Sequence, residues 1–166
     1  MIHVEWCVRT PRRHETTMRV RDVMTTYPSV VLPDDATAEA ARIMRDRNLH
    51  LLPVVRDLAC RTLIGVLTDR DVVVRCVAGG CHGTCLVREH MTIAPLTWVD
   101  ADSDVTEVAA KMKQYSLRRL PVLDSGHRLV GVVALADLDI KARGSHPLLV
   151  DDVERHIYPT AGALTH

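Results

Sequence analysis

The chain has 166 residues, room for one domain or two small ones. Lys plus Arg number 21 and Asp plus Glu number 21, so the formal net charge is zero, which removes the electrostatic drive toward nucleic acid or an anionic membrane. Hydrophobic residues make up 47% and charged residues 25%, an ordinary globular balance that argues against disorder; with two Trp, three Tyr and no Phe the core must be aliphatic and stacking platforms for bases are scarce.

The opening MIHVEWCVRTPRR lacks a leading basic region, a sustained apolar stretch and a small-residue cleavage site, so no secretory signal is expected. The longest apolar run past the first residues is Val132–Ala136, far short of the roughly 20 residues of a membrane span. Five cysteines at irregular spacing fit a reducing, cytoplasmic setting. Residues 1–17 share no pattern with the rest of the chain and read as an arm.

From Val20 the elements come in a recognisable order. Met24 to Pro28 is turn-like, and Val30–Leu32 predicts a short strand. Thr37, Ala40, Ala41 and Met44 fall at i, i+3, i+4 and i+7, one apolar face of a helix with Asp34 or Asp35 placed to cap it. Leu51–Val55 predicts a strand, with Pro53 favouring a strand start or edge. Leu63–Leu67 predicts a third strand, and a second helix starts near Asp69. After the linker Cys76–Leu86 the series repeats. VREHMTIAPLTWV (Val87–Val99) matches VRDVMTTYPSVVL (Val20–Leu32) at an offset of 67. Thr106–Met112 matches Ala38–Met44, and Leu117–Leu123 matches Leu49–Val55, both at 68. Leu129–Leu138 matches Leu63–Val72 at 66. In the second copy Val105, Val108, Ala109 and Met112 form the helix face, and Ser103 and Asp104 are placed to cap it. A last helix is expected around Leu148–Ile157, ended by Pro159.

Four blocks in one order mark a duplicated β-α-β-β-α unit. The expected organisation is an arm (1–17), repeat one (18–75), a linker (76–86), repeat two (87–143) and a tail (144–166), in an α/β fold with two small sheets related by a pseudo-twofold axis.

The carrying residues are Met24-Thr25-x-x-Pro28, Leu52-Pro53-Val54 and Gly65-x-x-Thr68-x-x-Asp71, with partners Met91-Thr92-x-x-Pro95, Leu120-Pro121-Val122 and Gly131-x-x-Ala134-x-x-Asp137. Over about Val20 to Arg143 the chain resembles a pair of CBS domains, a Bateman module, of the stand-alone bacterial hypoxic-response-protein type. The resemblance implies a non-catalytic regulatory module. It would bind an adenosine-containing ligand such as AMP, ADP, ATP or S-adenosylmethionine in a cleft between the repeats, and would dimerise.

The residues fit that expectation. Thr68 at a helix start offers a hydroxyl beside free N–H groups, a place for phosphate. Asp71, one turn on, can accept both ribose hydroxyls. The same Thr-x-x-Asp is also a plain helix cap that needs no ligand. By the resemblance, site one would combine Val66, Thr68 and Asp71 with Leu96, Thr97, Arg118 and Arg119 from the other copy. Site two would combine Val132 and Asp137 with Ser29, Val30 and His50, and Ala134 stands there in place of the hydroxyl. Site one is therefore expected to be the tighter. Val72–Val74 supplies apolar surface for a homodimer.

Cys76, Cys81, His82 and Cys85 cluster in the linker. They read either as a glycine linker that carries thiols or as a Cys₃His metal set that could also respond to oxidation. The repeats need no metal to close, so none is expected to be required. His3, His14, His90, His127, His146, His156 and His166 read as surface residues. No nucleophile–base pair, P-loop or dinucleotide fingerprint is present, so no enzyme is expected.

Overall fold

The computed structural model describes residues 18–81, 84–142 and 147–157. The first repeat holds α1 (Val20–Val23), β1 (Thr25–Thr26), α2 (Thr37–Arg47), β2 (Leu51–Val55), β3 (Leu63–Thr68) and α3 (Asp69–Asp71), which runs directly into a π-helical stretch, Val72–Val77. The second holds α4 (Val87–His90), β4 (Val99–Asp100), α5 (Val105–Tyr115), β5 (Arg119–Leu123), β6 (Leu129–Ala134) and α6 (Leu135–Ala142). The terminal helix is α7 (Pro147–Ile157).

The repeat seen in the letters recurs in the backbone. Helices α2 and α5 both end on a residue in the left-handed region, Asn48 and Ser116, 68 positions apart. In each, the next N–H reaches back to the last turn, Leu49 to the Met44 carbonyl and Leu117 to the Met112 carbonyl. Thr37, Ala40 and Met44 are buried on α2, and Val105, Val108, Ala109 and Met112 on α5, as the 3.6-residue period demands.

The two repeats exchange their leading segments. Thr25 and Thr26 of repeat one pair with Val132 and Gly131 of β6, completing a four-stranded sheet in the order β1-β6-β5-β4. Thr92 of repeat two bridges Val66 of β3, on the two-stranded β2-β3 sheet. The cores show the same exchange: Val20 and Val23 are buried with repeat two's residues, and Val87 with repeat one's. Each such valine, fully removed from water, contributes about 1.5–3 kcal/mol, so neither repeat keeps its whole core alone.

Several local expectations are corrected. The Val30–Leu32 strand shrinks to one parallel bridge, Val31 to Val54, because Pro33 cannot donate to a longer ladder. Asp35 does not cap α2; it accepts the Leu32 N–H at 2.7 Å, and the cap position falls to Ala36, which has no side-chain bond to give. Asp104 does cap α5, accepting the Thr106 N–H at 2.8 Å. Pro53 and Pro121 sit mid-strand, and β5 is interior. The parallel neighbours there are one or two residues long, so a missing proline N–H removes little from the ladder. The terminal helix begins at Pro147, where proline's missing N–H is no loss, and it buries Val150 and Val153 against repeat two. Pro159 and the arm 1–17 lie outside the described residues.

Candidate functional site

Strand β3 ends at Thr68 and β6 at Ala134, each passing directly into a helix. Strands β2 and β5 begin at Leu51 and Arg119, beside His50 and Arg118. These four places are related in pairs by the repeat, and they converge on one cavity of about 890 Å³. His50, Thr68, Asp69 and Arg70 line it from repeat one, and Arg118, Arg119, Ala134 and Asp139 from repeat two. Glu154 and Ile157 of α7 complete the wall. The cavity thus straddles the pseudo-twofold axis.

The helix start at Thr68 is a full capping box. The Asp71 N–H donates to Thr68 Oγ1 at 3.1 Å, and the Thr68 N–H donates to Asp71 Oδ2 at 2.9 Å. Thr68 Oγ1–H also donates to Oδ2, at 2.6 Å. The second oxygen, Oδ1, lies 3.4 Å from Arg75 Nη2. The capping reading of Thr-x-x-Asp is therefore realised in repeat one. In repeat two the hydroxyl is missing, and Asp137 Oδ2 still accepts the Ala134 N–H at 2.8 Å. A hydrogen bond between His50 Nδ1 and Asp69 Oδ2, 2.8 Å, sets the imidazole at the cavity edge.

Of the sequence-derived site residues, the cavity brings together Thr68, Arg118, Arg119 and His50. Asp71 stands one turn behind Thr68 and is half-buried. Val66 gives both its backbone groups to Thr92, and Val132 pairs with Thr25 and Pro121. Ser29 accepts from Arg47 Nη1 at 2.7 Å, and Val30 packs on the small cluster around Val55 and Leu123. Leu96 and Thr97 are half-buried in the loop before β4, and Asp137 in α6. Sequence reasoning missed Arg70, Asp69 and Asp139, whose signal was only their place in the first turns after β3 and β6. It also missed Glu154 and Ile157, because nothing in the letters says where a terminal helix docks.

The linker cysteines do meet. Cys76, Cys81, Cys85 and His90 present ligand atoms that all lie within 4.8 Å of one another. Cys81 and Cys85 are joined as a disulfide, and Cys76 Sγ is 3.0 Å from Cys85 Sγ. His90 is not a surface residue: it is 8% exposed, because Arg75 Nη1 donates to its carbonyl at 2.8 Å and α4 packs inward through Val87. His82 lies outside the described residues, while Cys60 is exposed.

The sequence pattern of the CBS domain matches residues 20–77 and 87–140. The chain belongs to the CBS-domain family. It is 37% identical over 121 residues to the CBS domain-containing protein YhcV of Bacillus subtilis, covering 73% of this chain and 83% of that one. Solved structures that share the fold include the following three. Hypoxic Response Protein I with two coordinated zinc ions is 32% identical with a TM-score of 0.67, over 75% of this chain and 98% of that one. The CBS pair of MJ0100 with 5′-methylthioadenosine and S-adenosyl-L-methionine is 27% identical with a TM-score of 0.65, over 74% and 98%. CBSX2 with AMP is 26% identical with a TM-score of 0.65, over 76% and 96%. The tandem CBS pair expected from the repeated motifs is the fold that this chain has.

Proposed function

We propose that this CBS pair binds an adenosine-containing nucleotide in the cavity between its repeats, and passes the signal to another protein without doing chemistry itself. The observation that carries the reading is the meeting of Thr68 and His50 from one repeat with Arg118 and Arg119 from the other across one cavity. CBS pairs that hold AMP, or S-adenosyl-L-methionine and 5′-methylthioadenosine, support it.

In this reading Arg118 and Arg119 take the phosphate, as guanidinium forks suit a phosphate's oxygens. Asp71 keeps Oδ2 for the cap and offers Oδ1 to the ribose hydroxyls. Arg70, Arg118 and Arg119 face Asp69, Asp139 and Glu154 in the cavity wall, three charges of each sign. A wall that is neutral overall favours AMP or ADP over ATP. Chain pairing is part of the proposal: Val73, Val74 and Val77 are 59%, 53% and 64% exposed along one helical stretch, and a homodimer would cover them. A thermal-shift panel of AMP, ADP, ATP, NAD and S-adenosylmethionine tests the reading, since a ligand that binds only the folded state raises Tm. AMP or ADP should give the largest rise. No rise with any of the five would leave an interaction scaffold with an empty cavity.

A further inference from the structure

We propose that Cys76, Cys81, Cys85 and His90 form a tetrahedral zinc site that ties the linker to both repeats. The site is separate from the nucleotide cavity and does not depend on it.

Thiolate sulfur about 2.3 Å and imidazole nitrogen about 2.0–2.1 Å from zinc place tetrahedral ligand atoms roughly 3.5–3.8 Å apart. The four atoms here already lie within 4.8 Å of one another, so once the Cys81–Cys85 bond is reduced and its two sulfurs separate, small side-chain adjustments close the set. Cys76, Cys85 and His90 are 5%, 7% and 8% exposed. The His90 Nε2 is buried and has no hydrogen-bond partner among the described residues. Such an atom carries a desolvation penalty that a partner would relieve, and the same ring offers a nitrogen within 4.8 Å of all three sulfurs. Three soft thiolates and an imidazole select zinc over the harder divalent ions.

The fold presents the ligands from three directions. Cys76 sits in the last turn of the π-helical stretch, and His90 ends α4. Gly80, at φ +76°, turns the chain back so that the Cys81 N–H donates to the Cys76 carbonyl at 2.9 Å. The Cys85 carbonyl accepts the Thr37 N–H at 2.9 Å, and the His90 carbonyl accepts from Arg75 at 2.8 Å. All four ligands are therefore braced through their own backbones. The sequence alone offered His82 as the fourth ligand; the described geometry offers His90.

Zinc needs Cys81 and Cys85 as thiolates, so the site belongs to the reduced chain. A phosphine opens the disulfide with water: the phosphine becomes its oxide, and two thiols form. Zinc then displaces one proton from each of three thiols and binds the neutral imidazole.

The test uses the full chain, reduced with a phosphine under nitrogen and stripped by a chelator. Cobalt(II) is titrated in, then zinc(II). The expected result is a thiolate-to-cobalt charge-transfer band with the visible bands of tetrahedral cobalt, saturating at one ion per chain and abolished by zinc. Changes to groups that hydrogen-bond the ligands themselves cost 10–100-fold in metal affinity. Cys76→Ser and His90→Gln remove ligands and should cost about a hundredfold or more. His82→Ala and Cys60→Ser should leave affinity unchanged. Cys81→Ser, at a half-buried position, carries the same expectation as His90→Gln if that variant fails to fold by circular dichroism. The proposal is overturned if wild type shows no tetrahedral band. It is equally overturned if the band is lost in His82→Ala while His90→Gln keeps wild-type affinity.

Discussion

Gly65 and Gly131 hold the two repeats together by what they lack. A Cβ on Gly65 would stand 2.9 Å from the Thr92 carbonyl oxygen and 3.0 Å from Met91 Sδ. On Gly131 it would meet Met24 Sδ at 2.5 Å and the Thr25 carbonyl oxygen at 3.0 Å. The Met-Thr pair of each copy thus lies against the glycine of the other, which is why both motifs recur together. Thr92 presents backbone, and backbone cannot swing away. We therefore expect Gly65→Ala to destabilise the chain by about 1–3 kcal/mol, read as a lower denaturant midpoint; an unchanged midpoint would mean that the exchanged segments are loosely held. The capping residues give a second test. Thr68→Ala removes a hydroxyl that both accepts and donates, and should cost about 0.5–2 kcal/mol. Ala134→Thr adds that hydroxyl beside Asp137 and should be neutral or stabilising in the same urea titration.

At the scale of elements, α7 is fastened to α5 by Lys113 Nζ and Asp152 Oδ2, 2.8 Å apart. The hydrogen bond from Lys113 holds the Asp152 carboxyl below the ordinary aspartate range, and the bond from Lys111 does the same for Glu107 within α5. A folded pKa below the unfolded one stabilises fully above the unfolded value and is lost as pH falls through the folded value. Tm should therefore fall below about pH 4, near the unperturbed carboxylate values, and Asp152→Asn should flatten part of that fall. The exposed valines give the other prediction at this scale. Val74→Asp with Val77→Asp should shift the chain toward the monomer mass in light scattering while the circular dichroism spectrum stays the same. A wild type already at 18.5 kDa at micromolar concentration would remove the dimer from the proposal.

For the molecule as a whole, the duplication was legible because each copy buries the same helix face and turns at the same places. Thr37, Ala40 and Met44 against Val105, Val108 and Met112 could be aligned without any structure. The exchange of leading segments was not legible, since Met24-Thr25 would read the same whether it paired with its own β3 or with β6. Cap positions depend on a residue or two of chain path, so Asp35 reads as a cap and instead closes a turn on Leu32. The arginines before Leu120 could be named from sequence, whereas the three carboxylates facing them could not, because Asp69, Asp139 and Glu154 come from three separate helices or helix starts. His90 was misplaced for a related reason: a lone histidine carries no signal of burial until α4 is packed.

In the proposed reading the adenosine nucleotide sits in a cavity whose two halves are unequal, and calorimetry with AMP on four proteins distinguishes them. Wild type should bind. Arg118→Ala with Arg119→Ala should bind more weakly by about 1.5–3 kcal/mol, ten- to hundredfold, and wild-type binding should weaken with added salt. Asp71→Ala, held well below its own melting point, should lose most of its affinity, while Asp137→Ala should stay close to wild type. Loss in Asp137→Ala with Asp71→Ala unaffected would reverse the assignment of the two halves. No heat with wild type under conditions where it is folded would contradict the reading outright.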